Sequence, residues 1–169
     1  MKVSAPSERM DRKIYDPAHG VAPDDWIADL PRPLVFTNGC FDLLHRGHVS
    51  YLEQAAALGE TLVVGVNSDK SVRLLGKGPG RPVNPLEDRM ALLAALASVD
   101  AVIAYEQATP LELITRIKPD HLVKGGDWPL EQIVGGKEVM KRGGKVHSLA
   151  FQFQRSTSDL IERIRGSKG

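Results

Sequence analysis

The chain of 169 residues lacks the features of a secreted, membrane or nucleic-acid-binding protein. Its one cysteine, Cys40, excludes an intrachain disulfide and is typical of a reducing compartment. Lysine and arginine (22) nearly balance aspartate and glutamate (21), so the cationic excess of a dedicated DNA- or RNA-binding protein is missing. No apolar run approaches the ~18 residues of a membrane span, and the first residues lack the apolar segment of a signal peptide. We therefore expect a cytoplasmic protein that binds neither nucleic acid nor membrane.

From residue 34 onward, short apolar runs rich in β-branched residues alternate with helical patterns. The runs predict strands at 34–38, 61–67, 101–105, 121–124 and 145–150. The helical patterns cover 47–58, 69–75, 85–99, 110–118, 133–143 and 158–166, the last with Ser158 as its N-cap. Parallel strands joined by helices predict a three-layer, Rossmann-like α/β sandwich with a five-stranded parallel sheet.

The first 33 residues have a different composition, since they hold five of the eleven prolines. We interpret 1–33 as an N-terminal arm and 34–169 as the domain. Within the arm, DDWIADL predicts a short helix after Pro23, with Trp26, Ile27 and Leu30 on one side. The arm is expected to pack on the domain or on a partner subunit, and a disordered leader is an alternative for 1–12.

Two common nucleotide-binding fingerprints are incomplete in this chain. GVNSDKS (65–71) lacks the second glycine of a P-loop, and GKGPG (76–80) follows a predicted helix, whereas a dinucleotide fingerprint follows the first strand. Ligands of parallel α/β sheets bind at the carboxyl ends of the strands. The segment after the first strand is therefore the place to look for chemistry.

That segment, TNGCFDLLHRGHVSYL (37–52), carries two histidines at the beginning of a predicted helix. Gly39 lets backbone approach a ligand, and His45 and His48 can converge where free N–H groups attract phosphate. Imidazoles there can stabilise the charge that builds during displacement at phosphorus. Two alternatives are a pair of structural histidines and a metal site formed by Asp42, His45 and His48.

The run G-C-F-D-x-x-H-x-G-H (39–48) resembles the signature of the cytidylyltransferase-like nucleotidyltransferases. Their second signature, an S-T-T run that opens the last helix, is matched by R-S-T-S (155–158). RPVNPLEDRM (81–90) and LVKGGDW (122–128) resemble the family members that transfer an adenylyl group to D-glycero-β-D-manno-heptose 1-phosphate. The resemblance extends over 34–165.

The resemblance implies that ATP and a heptose 1-phosphate give ADP-heptose and pyrophosphate, assisted by Mg²⁺, for lipopolysaccharide or another surface glycan. The sugar phosphate would attack the α-phosphorus in line, so the protein would position the reactants and stabilise charge. Two alternatives stay open: a cytidylyltransferase acting on glycerol 3-phosphate or another phosphorylated acceptor, and a non-catalytic nucleotide-binding module. We also expect a homo-oligomer, a dimer or larger.

These motifs give a set of expected site residues. The expected catalytic residues are His45, His48 and Lys77. The expected nucleotide-binding residues are Thr37, Asn38, Gly39, Cys40, Phe41, His45, His48, Lys124, Gly126, Asp127, Arg155, Ser156 and Thr157. The expected substrate-binding residues are Asp42, Lys77, Arg89 and Trp128. The metal ligands stay unknown, with Asp42 and Asp127 as candidates.

Several of these residues have a plainer interpretation. Lys77 suits a solvated loop as well as a phosphate contact, and Arg89 suits a surface ion pair with Glu87 or nearby acids. Asp42 can hold its loop by hydrogen bonds or assist Mg²⁺. Cys40 is expected to be a small buried side chain, because the reaction needs no thiol nucleophile. The family often has an arginine several residues before the S-T-T run, where this chain has FQFQ (151–154), and Arg155 next to the run is the candidate replacement.

Overall fold

The computed structural model describes residues 10–16, 22–153 and 155–166. The helices are α1 (Pro23–Ala28), α2 (Arg46–Ala56), α3 (Asp69–Leu74), α4 (Leu86–Ala94), α5 (Leu111–Ile117), α6 (Gly136–Lys141) and α7 (Thr157–Gly166). The strands are β1 (Leu34–Gly39), β2 (Thr61–Asn67), β3 (Ala101–Tyr105), β4 (His121–Gly125) and β5 (Lys145–Leu149). A 3₁₀ turn, Leu130–Gln132, precedes α6.

The five strands form one parallel sheet in the order β3-β2-β1-β4-β5. β1 is central, and its Val35 lies opposite Leu62 of β2 and His121 of β4. The chain moves outward from β1 first toward β3 and then, beginning with β4, toward the other edge. The strand order therefore reverses between β1 and β4, where ligands bind in open α/β sheets.

Alternate residues of the strands are buried in two apolar clusters, one on each face of the sheet. Val35 packs with α2 and α4 on one face, whereas Leu34 and Phe36 pack with α5 and α6 on the other. β2 is buried along its whole length, as its run of β-branched residues predicts. The predicted three-layer α/β sandwich and its five-stranded parallel sheet are confirmed.

Three predicted helix boundaries are wrong. α4 ends at Ala94, five residues early, because the N–H of Ala95 bonds to the carbonyls of Ala91 and Leu93 and closes the helix. α6 begins at Gly136, because Gly135 has a left-handed backbone (φ 81°) that a helix does not accommodate. α7 begins at Thr157, so its N-cap lies two residues before the predicted Ser158.

The described parts of the arm lie against the domain. Ile14 forms a bridge to Val102, where the N–H of Tyr15 donates to the Val102 carbonyl at 2.9 Å, so the arm covers the β3 edge of the sheet. In α1, Ile27 is buried in the cluster on the α5 face, and Trp26 packs against that cluster. The alternative of a disordered leader falls mostly outside the described residues, and contact with a partner subunit stays a prediction.

Within the described part of the chain, no helix has the length and apolar character needed to cross a bilayer.

The guanidinium of Arg89, on α4, joins the carboxyl ends of two strands. The side chain is fully buried and bonds to four groups from three other segments. Its nitrogens donate to the carbonyl oxygens of Asn84 (3.0 Å), Cys40 (2.7 Å) and Asn67 (2.8 Å) and to Asp69 Oδ1 (2.7 Å).

This burial corrects both interpretations of Arg89. It does not reach a ligand, because its donors are engaged inside the protein. Its ion pair with Asp69 is made by a buried guanidinium, whereas a surface pair with Glu87 or nearby acids was expected. Arg89 is a positioning residue for the turns that follow β1 and β2.

Arg89→Met is expected to lower the free energy of unfolding by about 3 to 5 kcal/mol, because it leaves three carbonyls without their donor. The matched control is Arg116→Met, whose ion pair with Asp24 is exposed and is expected to contribute less than about 1 kcal/mol. Denaturant unfolding of both variants measures the difference. Equal losses would show that Arg89 contributes no more than a surface residue.

Candidate functional site

A cavity of about 480 Å³ opens at the carboxyl ends of β1 and β4, where the strand order reverses. The amino ends of α2 and α7 and the loop 76–84 complete its wall. Most of the predicted site residues meet here. Those that line the cavity are Asn38, Gly39, Cys40, Phe41, Asp42, His45, His48, Lys77, Lys124, Arg155, Ser156 and Thr157.

His45 and His48 stand side by side at the amino end of α2. Their rings stack with centroids 3.8 Å apart and planes 18° from parallel, because His45 is the N-cap and His48 lies in the first turn. The edge of the His48 ring also meets Phe41 at 5.3 Å between centroids. Both Nδ1 atoms are buried and have no hydrogen-bond partner within the described residues. The predicted convergence of the two imidazoles is therefore present.

Both histidines favour the neutral form. Burial lowers the pKa of His48 to about 4, and the nearby His45 and Lys77 charges act in the same direction. Burial also lowers the pKa of His45, although the carboxylate of Asp159 opposes that shift. Near pH 7 each ring therefore has one N–H to donate and can gain charge when an anion arrives.

The turn after β1 is held in an unusual backbone conformation. Phe41 has a φ of +47°, a backbone conformation that residues other than glycine rarely adopt. Its side chain is largely buried and forms part of the cavity lining. A Cβ on Gly39 would lie 3.0 Å from that ring, so glycine is needed where the chain folds back. Cys40 is buried, with its thiol 3.7 Å from Asn67 Oδ1, consistent with a packed side chain.

Asp42 holds the neighbouring loop in place. Its Oδ1 accepts hydrogen bonds from the N–H groups of Val83 (2.7 Å) and Asn84 (3.0 Å), and its Oδ2 pairs with the guanidinium of Arg81. The carboxylate borders the cavity, but both oxygens are engaged. Asp42 therefore holds the loop, as one of its two interpretations predicts, and Arg81, which the sequence analysis missed, is its partner. A contact of Asp42 with substrate or metal stays a prediction.

Two lysines bring positive charge to the cavity. Lys124 is the second-last residue of β4 and lines the cavity. Its ammonium has no hydrogen bond or ion pair within the described residues. Burial lowers the pKa of Lys124, and the neighbouring Lys77 charge acts in the same direction. Two ammonium groups in the wall of one cavity form a site for an anion such as a phosphate.

The amino end of α7 forms the opposite wall of the cavity. Ser156 Oγ accepts a hydrogen bond from the N–H of Asp159 at 3.0 Å, so Ser156 is the N-cap that had been assigned to Ser158. Thr157 Oγ1 donates to the carbonyl of Leu43 at 3.3 Å and ties α7 to the turn after β1. Two helices of at least ten residues thus direct their amino ends at one cavity.

Arg155 lines the cavity beside this helix end, at the position expected to replace the family's upstream arginine. Of the residues 151–154, Gln154 lies outside the described residues. Phe151 packs over Gly125 and against Tyr51, with ring centroids 5.7 Å apart, and Arg46 lies 3.7 Å above the Phe153 ring. The aromatic residues therefore shape the wall. Gly125, Tyr51 and Phe151 also line the cavity, and the sequence analysis had given Tyr51 and Phe151 no part in the site.

Four other expected residues lie outside the lining of this cavity. Thr37 is fully buried and its hydroxyl bonds to the hydroxyl of Tyr51. Gly126, with φ +109°, turns the chain away from β4, and Asp127 is exposed beyond it. Trp128 faces a second, smaller cavity. The roles of Thr37, Gly126 and Asp127 toward a nucleotide, and of Trp128 toward the substrate, stay predictions.

The described residues contain no group of three or more histidine, cysteine, aspartate or glutamate side chains arranged to hold a metal ion. Asp42 has no free oxygen, and Asp127 lies away from the cavity lining. The described geometry therefore gives no support to a metal site formed by Asp42, His45 and His48, and the metal ligands stay unknown. A Mg²⁺ ion in this cavity would need ligands supplied by the substrate and by water.

Lys77→Met is expected to raise the pKa of His48 above about 4, because it removes a positive charge that disfavours the imidazolium. An NMR pH titration of the histidine rings measures this pKa. Lys137→Met, at an exposed site on α6, is the matched control and is expected to leave the titration of His48 unchanged. The same titration curve in both variants would contradict the placement of Lys77 beside the histidines.

Comparison with known proteins agrees with the geometry. The sequence model of the cytidylyltransferase-like family matches residues 36–163. A relative from Bordetella bronchiseptica named D-beta-D-heptose 1-phosphate adenylyltransferase is 53% identical over 159 residues, or 94% of this chain and 98% of that protein. The bifunctional protein HldE of Photobacterium profundum is 58% identical over 136 residues, or 80% of this chain. The chain spans only 28% of that bifunctional relative.

Two solved structures share the fold. The lipopolysaccharide core biosynthesis protein of Thermoplasma volcanium has a TM-score of 0.59 and 30% identity, over 72% of this chain and 98% of that one. A pantoate-beta-alanine ligase from Francisella tularensis has a TM-score of 0.53 at 16% identity, over 86% of this chain and 68% of that one, a likeness of fold alone. The family match covers most of the domain and both signature segments. The chain belongs to the cytidylyltransferase-like family.

Proposed function

We propose that this protein transfers the adenylyl group of ATP to D-glycero-β-D-manno-heptose 1-phosphate, giving ADP-heptose and pyrophosphate for lipopolysaccharide or another surface glycan. The observation that carries the proposal is the cavity at the β1–β4 switch, where a neutral histidine pair, two lysines and two helix amino ends converge. The heptose acceptor is supported by the similarity to the Bordetella protein over nearly its whole length.

The proposed reaction is a single displacement at the α-phosphorus. An oxygen of the sugar phosphate forms a bond to that phosphorus, while the bond to the oxygen bridging the α- and β-phosphates breaks. Pyrophosphate leaves with the electron pair of that bond, and no covalent intermediate with the enzyme forms. The protein then has to align the acceptor phosphate, the α-phosphate and the departing pyrophosphate. It also has to stabilise the charge that spreads over the equatorial oxygens of the α-phosphate.

Each wall of the cavity has a part in this displacement. The N–H groups of His45 and His48 donate to the α-phosphate, and the turn 38–41 places backbone amides beside it. The amino end of α7, with Ser156 and Thr157, receives the departing β- and γ-phosphates. Lys77 neutralises charge from the loop side.

Mg²⁺ enters this proposal as part of the nucleotide substrate. The described residues provide no cluster of carboxylates to hold the ion, and Mg²⁺ bound to nucleotide phosphates keeps several water ligands. The ion would reduce the negative charge of the triphosphate. The positions of Lys77, Lys124 and the two histidines do not depend on it. A cytoplasmic location and a homo-oligomer of two or more chains stay predictions.

Pyrophosphate release with Mg²⁺ and ATP is expected to require D-glycero-β-D-manno-heptose 1-phosphate and to be weak when CTP replaces ATP. Release that requires CTP and glycerol 3-phosphate would favour the cytidylyltransferase alternative. Binding of ATP without turnover, over a panel of phosphorylated acceptors, would contradict an enzymatic role and favour a nucleotide-binding module.

His48→Ala is expected to lower kcat by about 10²- to 10³-fold, because it removes a donor to the developing charge. Its melting temperature should stay close to that of the parent protein, since the His48 Nδ1 has no partner within the described residues. His147→Ala is the matched control, since His147 lies on β5, outside the cavity lining. Equal turnover per folded molecule in the two variants would remove His48 from the mechanism.

A further inference from the structure

A second cavity of about 210 Å³ lies next to the first at the carboxyl ends of β1 and β4. Asn38 and Lys124 line both cavities, so the two spaces meet at the point where the strand order reverses. The first cavity is surrounded by cations and helix amino ends. The second cavity has a mainly apolar lining, which indicates that it holds a different part of the two reacting molecules.

The wall of the second cavity is mainly apolar. Leu122, Ile133 and Val134 supply aliphatic surface, and Gln132 supplies an amide. The Gln132 side chain is exposed and has no hydrogen-bond partner within the described part of the chain. An apolar wall with one or two free hydrogen-bonding groups suits a ligand with C–H faces and hydroxyl edges, as a sugar has.

Trp128 forms the remaining wall and is held in one orientation. Its indole N–H donates to the carbonyl of Gly125 at 3.1 Å, and its backbone N–H donates to Ser148 Oγ at 2.9 Å. Ser148 in turn donates to the carbonyl of Gly126 at 2.7 Å. Although the indole N–H and the backbone N–H are both engaged, 48% of the residue is exposed. A fixed and uncovered aromatic face is a surface on which a sugar ring can pack.

Lys124 stands at the junction of the two cavities. Its ammonium is partly buried and has no anionic partner within the described residues, so a bound anion would offset the cost of its burial. Asn38 lies beside it, with its amide N–H₂ fixed by a 2.9 Å hydrogen bond to the Tyr105 hydroxyl. A phosphate placed at this junction would contact Lys124 while the group attached to it extends into the second cavity.

We propose that the second cavity is the subsite for the sugar of the acceptor, with Trp128 as its packing surface, Gln132 as its hydroxyl contact and Lys124 as the contact for the acceptor phosphate. This inference rests on the proposed function. The cavity volume equals that of about seven water molecules at ~30 Å³ each, enough for one sugar ring and too little for a nucleotide. The nucleotide phosphates would occupy the first cavity, and the acceptor phosphate would lie at Lys124, which lines both cavities.

Fluorescence tests the subsite without turnover. The chain has two tryptophans, so Trp26→Phe leaves Trp128 as the only one. With saturating α,β-methylene-ATP present, heptose 1-phosphate is expected to change the Trp128 emission saturably, and inorganic phosphate is expected to leave it unchanged. An emission that does not respond to the sugar phosphate, at ten times its KM, would overturn the assignment.

Kinetics test the same assignment from two walls of the cavity. Trp128→Leu and Gln132→Leu are each expected to raise the KM for heptose 1-phosphate about tenfold, with the KM for ATP changed less than about twofold. Trp128→Phe keeps an aromatic face without the indole N–H and is the matched control, with a KM for the sugar within about threefold of the parent value. Melting temperatures confirm that each variant is folded.

The outcomes separate this inference from the proposed function. Turnover of heptose 1-phosphate by the parent protein, together with a raised KM for ATP in Trp128→Leu, would leave the function standing and assign Trp128 to the nucleotide. Unchanged KM values for both substrates in both leucine variants would also overturn the subsite alone. If the parent protein turns over no acceptor, the proposed function fails, and the fluorescence titration alone decides the subsite.

Discussion

The hydrogen bonds of the buried Arg89 guanidinium are the interaction on which the site depends. They bind the carbonyl of Cys40, just after β1, and the carbonyl of Asn67, at the end of β2. They thereby hold α4, which carries Arg89, against the ends of two strands that are far apart in sequence. From the same anchored turn the chain enters the strained backbone at Phe41 and then α2, which presents the histidine pair. A fully buried guanidinium therefore helps to set the position of the two imidazoles to which we assign catalysis.

Around this anchored turn, the protein arranges positive charge with few anions to balance it. Asp42, the carboxylate at the cavity edge, is occupied by Arg81 and two backbone N–H groups. His48 is kept neutral by burial, and Lys124 is partly buried without a partner among the described residues. Binding of a polyphosphate would supply the missing anions. The same groups that bind the ground state can then respond to charge that develops at the α-phosphorus.

The hydrophobic pattern was sufficient to predict the strands. A run such as TLVVGVN is mostly apolar and β-branched, and it is buried on both faces of the sheet. The histidine pair and the S-T run were also predictable, since their chemistry depends on short spacings at helix ends. The buried role of Arg89 was not predicted, and for Asp42 a loop contact could not be separated from a metal contact. Their partners come from segments 20 to 49 residues away, and local sequence does not reveal such contacts. The helix ends were predicted less well for a related reason. The left-handed backbone of Gly135, which delays the beginning of α6, depends on the turn in which it lies.

The central claim is that this cavity carries out one direct displacement at the α-phosphorus of ATP. The most direct test is the stereochemical course of adenylyl transfer from the Sp diastereomer of adenosine 5′-O-(1-thiotriphosphate) to heptose 1-phosphate, followed by ³¹P NMR. One displacement in line predicts inversion at phosphorus, because the acceptor attacks opposite the departing pyrophosphate. Retention would require two successive displacements through an enzyme-bound intermediate, and it would contradict the account.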